Sequence, residues 1–262
     1  MKKTFSYVLL FFFGCVSSFS QTIAEKAADC QEVKDKYVRY EKQLSDWAQS
    51  GRYREANLKV LPQSVNETRV VFMGDSITDD GWNLAEYFPG KAYFNRGIGG
   101  QTTPQMLLRF RADVIDLKPK VIVILVGTND ISGNTGAMTL EDTTRNLISM
   151  VELAETNNIQ VVLSSMLAVN DRVKNKEGVP LIQTRSRPNE KIIAMNAWLR
   201  KYAADNNLIY LDYYSAMVNK DNSLKDAISY DGLHPNADGY KIMQALAEEA
   251  INRSLRKQQY KR

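Results

Sequence analysis

Histidine is nearly absent from this chain: His234 is the only one among 262 residues. Chemistry that needs an imidazole must therefore use that residue. Cysteine is almost as scarce, with only Cys15 and Cys30. If Cys15 departs with an export segment, no internal disulfide can form. One histidine and one cysteine also argue against a protein zinc site. An excess of charge of either sign is missing too. The 34 Lys and Arg against 30 Asp and Glu give +4, and without Lys2 and Lys3 the balance is 32 against 30. That gives no ground for a nucleic-acid partner. There is no internal repeat and no low-complexity linker. Beyond the N-terminus, no run is long and apolar enough to cross a membrane.

The N-terminus reads as an export signal over 1–20. Met1-Lys-Lys is positive, Tyr7 to Gly14 is apolar but short, and Ser18 and Ser20 offer a cleavage site before Gln21. Alternatives are a retained anchor, or a lipoprotein tethered at Cys15, although Phe12 stands where an aliphatic residue is usual. The expected location is periplasmic or extracellular, with no stable membrane partner unless Cys15 is lipidated. Composition is ordinary, 44% hydrophobic and 24% charged, and suits one globular domain.

Residues 21–60 read as a helical lead-in. Val33, Tyr37, Tyr40, Leu44 and Trp47 recur at spacings of four and three, one stripe of an amphipathic helix. We expect it to pack on the domain at 61–255; a coiled-coil partner is the alternative. The tail at 256–262 is basic and reads as solvated.

From residue 69, strand and helix patterns alternate. Candidate strands are 70–73, 92–94, 121–126, 160–164 and 208–211, and candidate helices 104–117, 139–156, 188–206 and 237–254. Val121 to Val126 is apolar without alternation, as expected of a central strand covered on both faces. Thr139 and Asp142 read as a capping box. This rhythm predicts an α/β fold, a parallel sheet in order 2-1-3-4-5 with helices on both sides. Strands 1 and 3 are then neighbours at the topological switch point, where ligands bind beyond the strands' carboxyl ends.

The least ordinary residues fall in the loops at that end. Gly74-Asp75-Ser76 follows the first strand, where Ser76 can act as a nucleophile or merely cap a helix. Asn95-Arg-Gly-Ile-Gly-Gly100 follows the second. Its glycines suit a phosphate cradle, a tight turn or an oxyanion donor at the Gly100 N–H, and no full phosphate-binding motif is present. Gly127-Thr-Asn129 follows the third, where Asn129 is a turn residue or a side-chain donor to an oxyanion. Asp231-Gly-Leu-His234 lies near the C-terminus. A lone histidine can be structural, but Asp231 three residues earlier can orient His234 to take the Ser76 proton. The loop 169–187 reads as a surface rim.

Gly74-Asp75-Ser76, Gly100, Asn129 and Asp231-x-x-His234, in that order, resemble the four blocks of the SGNH (GDSL-type) hydrolases. Asn95-Arg-Gly-Ile-Gly-Gly and Val126-Gly-Thr-Asn are most similar to the platelet-activating-factor acetylhydrolase-like branch and to bacterial carbohydrate esterases. The likeness runs from about 69 to 250. Ile77 replaces the leucine of the family name. The resemblance implies a flavodoxin-like three-layer α/β/α sandwich and a serine esterase needing no cofactor or metal. It implies Ser76 as nucleophile, His234 as general base and acid, and Asp231 as its orienting partner. Ser76, Gly100 and Asn129 would form the oxyanion hole. The expected partner is a small-molecule or glycan ester, with acetyl groups on an extracellular polysaccharide first. Asp75, Trp82 and Arg185 are placed at the substrate rim, Trp82 either stacking on a sugar or lying in the core. Further readings are a lysophospholipase or thioesterase, a glycan O-acyltransferase, and a carbohydrate-binding module without turnover.

Overall fold

The computed structural model describes residues 30–38, 40–41, 44–64, 67–79 and 81–259. The expected signal over 1–20 and its Cys15 lie outside the described residues. The chain divides into two units, Met1–Trp47 and Ala48–Arg262. In the first, residues 30–38, 40–41 and 44–45 are helical, and Cys30 is exposed.

The second unit is built on five parallel strands, β1 (Val70–Gly74), β2 (Tyr93–Gly97), β3 (Val121–Ile124), β4 (Gln160–Ser164) and β5 (Ile209–Leu211), in the order β2-β1-β3-β4-β5. The expected order and the five strands are thus present. Residue alternation explains how both faces are covered. Val71, Met73, Ile122, Ile124, Val161 and Leu163 point to one face, and Val70, Phe72, Val121, Val123 and Val162 to the other. On the first face lie α3 (Thr103–Asp113), α5 (Leu140–Thr156) and α6 (Asn189–Asp205), through Phe110, Leu147, Met150 and Leu199. On the second lie α2 (Leu84–Tyr87), α7 (Tyr213–Met217) and α8 (Ala237–Gln259), through Leu84, Tyr213, Met243 and Ile251. Each such fully buried aliphatic side chain contributes about 1.5–3 kcal/mol of transfer free energy. Two further short helices are α1 (Arg54–Leu58) and α4 (Thr128–Ile131).

Local chemistry sets the helix boundaries. At α5 the Asp142 carboxylate accepts from the Thr139 N–H at 3.0 Å while the Asp142 N–H donates to Thr139 Oγ1 at 3.1 Å, the expected capping box. Thr102 and Gln105 form a second box at α3, with Pro104 in its first turn. The helix expected over 104–117 is α3 followed by a short 3-10 turn, Ile115–Leu117, because the chain turns at Val114. The last helix runs on to Gln259, carrying Arg256 and Lys257 in its final turn, where basic groups complement the helix dipole. Among the described residues no helix is long and apolar enough to cross a membrane.

Candidate active site

The parallel sheet brings the loops after β1, β2 and β3 to one end, and the turn before α8 closes over them. At the end of β1 the chain enters a tight turn rather than a helix. The Thr78 and Asp79 N–H groups both donate to the Asp75 carbonyl, and the Ile77 N–H donates to Asp75 Oδ1 at 3.0 Å. Ser76 is therefore held at the turn's tip, half-buried, and does not cap a helix. The turn before α8 is held as firmly. Ser229 Oγ donates to the His234 carbonyl at 2.8 Å and accepts from the Gly232 N–H at 2.9 Å. Gly232 has φ +84, and a Cβ there would meet the Asn170 carbonyl at 2.3 Å, so both conformation and space require glycine.

These turns meet at one hydrogen bond. His234 Nε2 lies 2.9 Å from Ser76 Oγ, and His234 Nδ1 lies 2.6 Å from Asp231 Oδ2. Asp231 Oδ1 also accepts from the Leu233 and His234 N–H groups at 2.9 and 2.7 Å. Burial pushes the Asp231 carboxyl up, but bonds from the His234 ring and from these two N–H groups outweigh it and hold Asp231 below the usual carboxylate range. Asp231 is thus a fixed anion that selects the imidazole tautomer with its proton on Nδ1, leaving Nε2 free to accept from Ser76.

The expected oxyanion donors Gly100 and Asn129 lie on the loops after β2 and β3. Gly100 has φ +78 and is exposed. Among the described residues, no hydrogen bond engages the backbone N–H of Ser76 or Gly100. Asn129 opens α4, buried, and its Nδ2 donates to the Gln101 carbonyl at 3.1 Å. Asn134 Nδ2 donates to the Gly100 carbonyl at 3.0 Å and to Asn129 Oδ1 at 3.1 Å, tying the two loops together.

Beneath them Arg109, fully buried, reaches four groups. It donates to the Gly74 and Arg96 carbonyls, to Gln101 Oε1, and to Asp113 Oδ2 at 3.0 Å. It locks the ends of β1 and β2 to the loop that carries Gly100. Asp130 does the same for β3, accepting from the Thr103 N–H at 3.1 Å and from Thr103 Oγ1 at 2.5 Å. The sequence reading missed Arg109, and its only signal was the i,i+4 pairing with Asp113.

The three rim residues need correction or relocation. Asp75 is 0% exposed and Trp82 1%, so neither reaches the surface. Among the described residues Asp75 Oδ2 has no hydrogen-bond partner, and burial pushes its carboxyl up to about 6, against the Ile77 bond and the nearby His234 charge. Trp82 sits in an aromatic cluster, edge-on to Phe72 at 5.2 Å and stacked on Tyr240 at 5.7 Å. It is a core residue rather than a sugar platform. Arg185 is exposed. Instead Arg187, two residues on, turns inward, and its Nη2 donates to Asn129 Oδ1 at 3.3 Å. From the same loop Gln183 Nε2 donates to the Asp231 carbonyl at 3.0 Å. Among the described residues no group of three or more His, Cys, Asp or Glu is arranged to hold a metal ion.

Comparison with known proteins places the chain in a family. Residues 72–242 match the GDSL-like lipase/acylhydrolase family. The chain belongs to that family. Within it, human platelet-activating factor acetylhydrolase IB subunit alpha2 is 29% identical, covering 73% of this chain and 80% of the relative. The crystal structure of a GDSL-like lipase from Bacteroides thetaiotaomicron is 39% identical with a TM-score of 0.70, over 79% of this chain and 98% of that one. An acetylxylan esterase from Geobacillus stearothermophilus shares the fold at 20% identity and TM-score 0.56, over 70% of this chain and 94% of that one. As a GDSL-type acylhydrolase, the protein is an ester hydrolase.

Proposed function

We propose that the protein is an exported serine esterase that removes short acyl groups, acetyl first, from carbohydrate esters. The observation that carries the serine mechanism is the unbroken chain Asp231–His234–Ser76, at 2.6 and 2.9 Å. Ser76 Oγ attacks the ester carbonyl carbon as its proton passes to His234 Nε2. The Ser76 and Gly100 N–H groups and Asn129 Nδ2 donate to the oxygen that becomes negative. Collapse of that intermediate breaks the ester C–O bond, and the leaving alkoxide takes the proton from His234. Water then attacks the acyl-enzyme with His234 as base, releasing the acid and restoring Ser76.

The acetyl preference is supported by the name of the acetylhydrolase relative. Carbohydrate and export rest on the N-terminal signal pattern together with the resemblance of the β2 and β3 loops to carbohydrate esterases. A second reading, longer acyl esters, draws on a mostly apolar cavity of about 330 Å³ beside α4, lined by Gly127, Ile131, Met138, Leu140, Ala194 and Met195 together with Thr139, Thr143 and Lys191. A larger cavity, about 610 Å³, opens at the amino ends of β4 and β5, away from Ser76.

Hydrolysis of p-nitrophenyl acetate and octanoate by the wild type and Ser76→Ala separates these readings. The expected result is acetate turnover that falls roughly 10⁴- to 10⁶-fold in the variant. Preferred turnover of octanoate moves the substrate to longer acyl chains, and turnover undiminished in Ser76→Ala overturns the serine mechanism.

A further inference from the structure

A side-chain amide serves as an oxyanion donor only when its nitrogen, and not its oxygen, faces the substrate. Sterics alone hardly distinguish the two ends, so the neighbours of Asn129 must choose. A guanidinium has only donors and a backbone carbonyl only accepts. Arg187 Nη2 at 3.3 Å can therefore face only Asn129 Oδ1, and the Gln101 carbonyl at 3.1 Å can face only Nδ2. Asn134, whose Nδ2 is fixed by donating to the Gly100 carbonyl at 3.0 Å, donates to the same Asn129 Oδ1 at 3.1 Å and supports the same choice. With Oδ1 holding Arg187 and Asn134, and one Nδ2–H spent on Gln101, one N–H of Asn129 remains for the substrate.

Arg187 is also placed to add charge. It is half-buried, its Nε has no hydrogen-bond partner among the described residues, and its Nη1 donates to Ser186 Oγ at 3.1 Å. Burial pulls its guanidinium below the usual arginine range, and the charges of Asp75 and Asp231, one beside the nucleophile and one beside the base, act against that pull. A cation bonded to an amide oxygen polarises that amide and strengthens the bond its N–H donates.

We propose that Arg187 is a positioning residue of the oxyanion hole, which orients the Asn129 amide and sharpens its donor strength without touching the substrate. This rests on the serine esterase reading and goes beyond it, since Arg187 lies outside the four family blocks.

The test is a double-mutant cycle on whichever p-nitrophenyl ester the wild type turns over. Arg187→Met is expected to lower kcat about 10-fold with KM changed less than about twofold, because Asn129 acts on the transition state. In the Asn129→Ala protein the same substitution is expected to lower kcat by less than about threefold, since the group Arg187 acts through is gone. Arg187→Lys, which keeps a donor and a charge but loses the planar fork, is expected to recover part of the loss. A loss of equal size in both backgrounds would show that Arg187 merely supports the 169–187 loop, and no loss in the wild-type background would show that it does nothing for Asn129. Either overturns the proposal. If Arg187→Met fails to fold, the lysine variant carries the same cycle, with an expected kcat loss of about threefold in the wild-type background and none in the Asn129→Ala protein, and equal losses in both overturn the proposal. A wild type that hydrolyses no ester sinks the esterase reading itself, an outcome distinct from an active enzyme with an additive cycle.

Discussion

The turn after β1 and the turn before α8 meet at the Ser76–His234 hydrogen bond, yet they hold their carboxylates in opposite ways. Asp231, partly exposed, accepts three hydrogen bonds and is kept below the usual carboxylate range. Asp75, one residue from the nucleophile, accepts one N–H on Oδ1 and leaves Oδ2 without a partner among the described residues, and its full burial pushes it up to about 6. Residue type is the same in both turns, and surroundings alone separate them. Bonds to the charged form outweigh partial burial at Asp231, and full burial outweighs a single bond at Asp75. The first aspartate is built to be an anion at working pH; the second shapes a turn at the expense of its own solvation.

That contrast can be attacked from either side. The largest effect belongs to Asp231→Asn, which keeps the side chain's shape but favours the imidazole tautomer that blocks proton uptake from Ser76. We expect kcat on a p-nitrophenyl ester to fall about 10⁴-fold with the melting temperature little changed. A fall of less than tenfold would show that His234 does not depend on the charge of Asp231.

Next comes Asp75→Asn, read in stability rather than rate. Burial raises the folded carboxyl to about 6 from its ordinary 3.8. Between those values the unfolded chain is ionised while the folded one still binds the proton, so wild-type stability falls as pH rises through that window. The difference corresponds to about 3 kcal/mol. Urea unfolding at pH 4, where the unfolded group is already about half ionised, and at pH 7 should show the wild type losing about 2 kcal/mol more than the variant. An identical pH slope in both proteins would mean that Asp75 is solvated after all.

The smallest effect is expected for Gly232→Ala. Forcing a Cβ onto φ +84, against the Asn170 carbonyl, should cost about 2 kcal/mol of stability. It should also lower kcat as the His234 turn shifts, and an unchanged melting temperature would show that the turn relaxes freely.

How much of this was legible in the sequence differs element by element. The apolar run of β3 and the capping box at Thr139 were plain, since each depends on near neighbours. The four-residue helices α2 and α4 and the five-residue α7 were not, because so few residues span hardly more than one turn and leave no period to read. The Ser76, Asp231 and His234 set was legible because histidine is so rare here and the blocks stand in family order. Trp82 was ambiguous, since an aromatic after a strand reads alike whether it stacks on a sugar or on Phe72 and Tyr240. Arg185 and Arg187 were indistinguishable in an aperiodic, charged loop, where only packing decides which guanidinium turns inward.

By itself, then, the sequence determined the alternation of strands and helices, the parallel order of the sheet, and which residue types can carry acyl transfer, because these depend on periodicity and on chemical scarcity. The tertiary structure alone decided that Asp75 and Trp82 belong to the interior, that Arg109 braces the loops from below, and that Arg187 reaches Asn129 across 58 positions of chain. Burial and long-range hydrogen bonds are properties of the packed chain, and no local pattern encodes which side chains will share them.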